Sequence, residues 1–92
     1  MVLVRVRFRD WAQFWSVFTQ AGAERRREHG SSGVRVLRDA DAPGEAWLLF
    51  DWERERFERF LADPLVRETM TSGGALGPPE VRFVDQVDEL PA

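Results

Sequence analysis

Ninety-two residues suffice for one domain, and a chain of this size buries only about 60–65% of its unfolded surface, so a second copy is a natural source of further burial. Hydrophobic residues (43%) and charged residues (32%) are mixed in globular proportion, which excludes disorder on composition. With no cysteine and a single histidine, disulfides and thiolate chemistry are excluded and no metal site is expected, while a net charge of −3 argues against a general nucleic-acid binder.

All 13 cations are arginine. The absence of lysine and tyrosine removes the Schiff-base nucleophile and the phenolic acid from the chemistry available. The opening run MVLVRVRF has no basic-then-apolar leader pattern, and no apolar stretch approaches 18 residues. A cytoplasmic protein with no membrane partner is the expectation.

In chain order, residues 2 to 8 alternate strictly and predict a strand, with Val2, Val4, Val6 and Phe8 on one face and Leu3, Arg5 and Arg7 on the other. Asp10 is placed to cap a helix whose apolar positions fall at 11, 14, 15, 18, 21 and 22, running to about His29 with Gly30 just beyond its end. Val34–Asp39 and Glu45–Trp52 predict a hairpin around the turn formers of residues 39–44. Phe57, Phe60 and Leu61 mark a short helix that must break at Asp63-Pro64, where a cap and a first-turn proline start another carrying Leu65, Val66, Thr69 and Met70. A Gly/Pro-rich loop over 72–79 leads to a last strand, Val81 to Val87. The order is β-α-β-β-α-β in one domain over residues 1–92, an α+β ferredoxin-like fold with a four-stranded antiparallel sheet and helices on one face.

Sorting strand residues by parity gives one almost wholly apolar face, which the helices should cover. The opposite face still holds Leu3, Leu37, Trp47, Leu49 and Val84 among Arg5, Arg7, Arg35, Asp51 and Arg82. Each large apolar side chain left in water forgoes roughly 1.5–3 kcal/mol. An apolar centre with a charged rim is the pattern of a protein interface, so this face is expected to form a homodimer, with Asp51 paired to Arg5 or Arg35.

The layout, together with the stretches GVRVLRDADAPGEAWLLFDW (33–52), FLADPLVRETM (60–70) and GPPEVRFVDQV (77–87), resembles the dimeric α/β-barrel superfamily. The likeness is greatest to the short bacterial proteins grouped around the antibiotic biosynthesis monooxygenases. That resemblance covers Val2 to about Asp88 and implies a barrel of two sheets with helices outside and a ligand cavity in each subunit. Members that oxygenate aromatic polyketides without a cofactor, or that degrade haem, use polar pocket residues including asparagine, and the haem degraders also a histidine in the second helical region. This chain departs from that pattern: it has no asparagine, and residues 53 to 71 hold no histidine. A tryptophan, Trp11 or Trp15, is the one component it keeps.

On an unbroken first helix, positions 11, 15, 18, 22, 25 and 29 share a side, so Trp11, Trp15, Phe18, Gly22, Arg25 and His29 form a candidate pocket wall. Glycine leaves space, Arg25 suits a carboxylate or enolate, and His29 is a candidate for moving a proton. The plainer reading is that the aromatics are core, Arg25 snorkels and His29 complements the helix dipole. Thr69 and Met70 are candidate lining from the last helix. The β-α-β-β-α-β order also belongs to RNA-recognition modules, but Pro43 and Glu45 stand where that motif needs a basic residue and a stacking aromatic, so RNA binding is set aside.

The expected function is binding of an aromatic or polyketide-like metabolite in a cavity between helices and sheet, with no cofactor and no nucleic acid. The alternatives are a cofactor-independent monooxygenase, or a cyclase or isomerase with His29 as base and Arg25 as anion holder, and a structural or regulatory dimer without ligand. Leu3, Arg5, Leu37, Trp47, Leu49 and Val84 are the expected dimer interface.

Overall fold

The computed structural model describes residues 1–92. Its strands are β1 (Val2–Arg7), β2 (Val34–Arg38), β3 (Glu45–Phe50) and β4 (Glu80–Phe83); its helices are α1 (Trp11–Thr19), α2 (Ala21–Glu28), α3 (Arg54–Ala62) and α4 (Pro64–Ser72). The strands form one antiparallel sheet in the order β2-β3-β1-β4. Because β3 lies between β1 and β2, and β1 between β3 and β4, each helical pair spans a neighbouring strand as it crosses. Both pairs cover the same face, which is the ferredoxin-like arrangement expected from the element order.

The covered face is the apolar one. Val2, Val4, Leu48 and Phe50 of the sheet are buried against Phe57, Phe60 and Val66 of α3 and α4, with Trp52 completing the cluster. Alternation along β1 and β3 is the cause: Val2 pairs with Phe50 and Val4 with Leu48, so one parity of both strands points at the helices.

Local signals place the helix starts. The Gln13 N–H donates to Asp10 Oδ2 at 2.8 Å, and the Leu65 N–H donates to Asp63 Oδ1 at 2.9 Å with Pro64 in the first turn of α4. Gly30 adopts φ +79°, the left-handed conformation that ends a helix, just after His29.

Three expectations need correction. The helix from Asp10 to His29 is not continuous: Gln20, at φ −113° and ψ −94°, separates α1 from α2. The Thr19 hydroxyl donates back to the Trp15 carbonyl at 2.7 Å, and Gly22 follows two residues after the break; both features weaken helical continuity. The third strand stops at Phe50, and Trp52 turns inward, where its indole N–H donates to the His29 carbonyl at 2.8 Å. The last strand stops at Phe83 because it pairs only with β1, over Val2–Arg5.

Candidate functional site

Both segments of the first helical region contribute to the interior. Phe14, Val17 and Phe18 of α1 and Gly22, Arg25 and Arg26 of α2 line one side of a cavity of about 450 Å³. Val4, Val6, Leu48 and Phe50 form its floor, Phe57, Phe60, Leu61, Val66, Arg67, Thr69 and Met70 the opposite wall, and Gly77, Pro78 and Pro79 of the loop before β4 part of its rim. The volume lies within the range of small-molecule pockets.

Of the residues singled out in the sequence, Phe18, Gly22, Arg25, Thr69 and Met70 line this cavity, whereas Trp11, Trp15 and His29 do not. Trp11 and Trp15 stack on one another on the outer side of α1 (centroids 5.2 Å, 15°), and Trp15 is 40% exposed. The stack continues through Phe18, with the Arg38 guanidinium 4.3 Å over Trp11 and the Arg26 guanidinium 3.9 Å over Phe18. The inward face of α1 carries Phe14 and Phe18, one turn apart, and they stack at 5.2 Å. Phe14, Phe18 and Gly22, each four residues from the last, were the legible signal for this wall.

His29 sits at the end of α2, its Nε2 2.9 Å from Asp63 Oδ2 at the start of α4. The hydrogen bond from His29 and then that from the Leu65 backbone hold the Asp63 carboxyl below its ordinary value. The imidazole edge also meets the Phe60 ring at 5.7 Å. Histidine here fastens two of the cavity's helices together.

The polar inventory of the lining is one-sided. It contains arginines and two threonines but no aspartate, glutamate or histidine. Arg25 Nη2 pairs with Glu28 at 2.9 Å, while its Nε is buried with no hydrogen-bond partner. Arg26 donates to the Phe18 carbonyl at 2.9 Å, and burial, then the neighbouring Arg27, lowers its pKa to about 10. No three His, Asp or Glu side chains gather where they could hold a metal ion.

The other sheet face is organised as two cross-strand rows, Leu37–Trp47–Arg5–Glu80 and Arg35–Leu49–Leu3–Arg82. Leu37 is 57% exposed, and Leu3, Trp47, Leu49 and Val84 are half-buried. Arg5 pairs with Glu80 at 2.9 Å and lies 5.7 Å over Trp47, so the expected partner Asp51 is replaced by the residue directly across the strand.

No protein-family model matches the chain, and no curated protein matches it in sequence. Solved structures do. SnoaB, a cofactor-independent oxygenase from Streptomyces nogalater, superposes with a TM-score of 0.70 at 23% identity over 99% of this chain and 95% of its own. A protein from Bordetella bronchiseptica provisionally described as an antibiotic biosynthesis monooxygenase gives 0.75 at 23% over 94% of each chain. A Mycobacterium tuberculosis protein gives 0.64 at 18% over 96% and 94%. The chain therefore shares the ferredoxin-like fold of these structures from end to end, at identities that speak to fold alone.

Proposed function

We propose that this protein binds a flat, largely apolar metabolite of aromatic or polyketide-like character between its helices and its sheet. The observation that carries this reading is the cavity of about 450 Å³, walled by Phe14, Phe18, Phe57, Phe60 and Met70 inside a chain of only 92 residues. Interiors normally pack without such space, and keeping it open costs dispersion contacts that a ligand restores. Calorimetric titration with a panel of polycyclic aromatic compounds tests it, with Met70→Trp as the blocked control. A ligand at a hundred times its Kd should raise stability by about 2.7 kcal/mol. Failure of every planar compound to bind, or binding that Met70→Trp leaves intact, refutes the assignment.

A second reading, oxygenation of that ligand without metal or flavin, is favoured by the likeness to SnoaB. For a polycyclic ketone with an acidic CH2 beside the ring, loss of a proton gives an electron-rich carbanion that reacts with O2; the CH2 becomes a carbonyl and the second oxygen atom leaves as water. An apolar cavity whose only charged lining groups are arginines favours the ligand's anion over its neutral form. Oxygen uptake in the presence of a chelator, lost in Arg25→Met, is the expected result.

We further propose that the protein works as a homodimer joined through the sheet face bearing Leu3, Arg5, Leu37, Trp47, Leu49 and Val84. The support is an apolar centre spanning adjacent strands, ringed by Arg35, Arg82 and the Arg5–Glu80 pair.

A further inference from the structure

The cavity's charge is opposite to that of the chain that builds it. The protein carries a net charge of −3, with 16 carboxylates against 13 arginines, yet the lining contains arginines and no carboxylate at all. Alternation along β1 turns the Arg7 side chain toward the other sheet face, so the charges that count are Arg25 and Arg26 on α2 and Arg67 on α4.

Their pairing is incomplete. Neither Arg26 nor Arg67 has a carboxylate within ion-pairing distance, although Glu/Arg pairs form elsewhere on the surface, at Arg54–Glu58 and Arg25–Glu28. Glu28 at 2.9 Å and Glu24 at 3.6 Å both sit at Nη2 of Arg25 and leave its buried Nε–H without an acceptor. A buried donor lacking an acceptor costs about 1–3 kcal/mol. Arg26 is held among apolar groups, on the Phe18 ring, where an arriving anion would offset the desolvation that lowers its pKa. An apolar cavity that ends in two guanidinium groups without a carboxylate partner, Arg26 and Arg67, and in the open Nε–H of Arg25 is complementary to a molecule with an apolar body and one anionic end.

We propose that the ligand of this cavity is an amphipathic carboxylate, its aromatic body among Phe14, Phe18 and Phe57 and its carboxylate at Arg25 Nε, with Arg26 and Arg67 supplying the surrounding positive potential. The proposal rests on the reading of this cavity as a binding site and adds the charge of what binds.

The test is isothermal titration of anthraquinone-2-carboxylate and its uncharged carboxamide at about pH 8, where the acid is ionised. The two probes differ in charge and hardly in shape. The acid should bind about tenfold more tightly than the amide, and Arg25→Met should weaken the acid by a larger factor than the amide and so remove most of that preference. Arg67→Met, at an exposed helix position, should weaken the acid by a smaller factor and serves as the second variant should Arg25→Met fold poorly. Equal affinities for acid and amide in the wild type overturn the anionic assignment and leave the cavity as a site for neutral ligands. A preference for the acid that survives in both variants overturns the role of these arginines. Binding of neither probe overturns the cavity reading itself.

Discussion

His29 Nε2 lies 2.9 Å from Asp63 Oδ2, joining the residue that caps the end of α2 to the residue that caps the start of α4. Both side chains are about four-fifths covered, and Trp52 donates to the His29 carbonyl from the other side. Asp63 therefore has two hydrogen-bonding tasks, capping α4 and holding α2, whereas the His29 side chain has one. Asp63→Ala should lower the melting temperature more than His29→Ala, and Asp63→Asn, which can still accept from Leu65, should fall between them. Thermal unfolding of the three variants checks the order.

The same pair gives an acid dependence whose sign follows from the depressed carboxyl. Asp63 titrates lower in the folded protein than its ordinary value of 3.8, so the unfolded chain takes up its proton first as pH falls. The stabilisation is fully present above that value and is lost as pH drops through the lower folded value. Asp63→Asn should flatten the stability profile below about pH 4, a range set by the reference carboxyl. Urea denaturation at a series of pH values measures it, and an unchanged slope would contradict the pair's role.

Phe57 is 1% exposed and meets Phe50, Trp52, Phe60 and Phe83. Phe57→Ala should cost about 3–5 kcal/mol by equilibrium unfolding, because it enlarges a space already present in the core. Phe57→Leu should cost less by filling part of that space.

Trp52→Phe removes the indole N–H and strands the carbonyl of His29. A loss of about 1–3 kcal/mol is expected, measured in the same way, with the larger value if no water reaches the carbonyl.

Leu37 and Trp47 are cross-strand neighbours on the uncovered sheet face. Leu37→Glu should shift sedimentation from dimer to monomer at micromolar concentration and remove any concentration dependence of the melting temperature. A wild-type chain that sediments as a monomer would contradict the dimer before any variant is made.

The amino-acid sequence by itself determined the fold, because its signals are local and periodic: alternation over 2–8 and 45–50 sets both sheet faces, and Asp10, Asp63-Pro64 and Gly30 punctuate the helices with side chains whose chemistry acts within three residues. That Leu37 and Trp47 share a sheet face was equally legible from parity, and the structure pairs them directly. What only the tertiary structure decided is the phase of the first helical region. Of the stripe extrapolated from Trp11 through Trp15, Phe18, Gly22 and Arg25 reach the cavity, but Phe14 and Val17 line it where the two indoles were expected, and His29, just past α2, meets Asp63, 34 residues away. Periodicity says which residues share a side, not which side packs inward or which distant residue a side chain meets, because both are settled by packing against the sheet and α4.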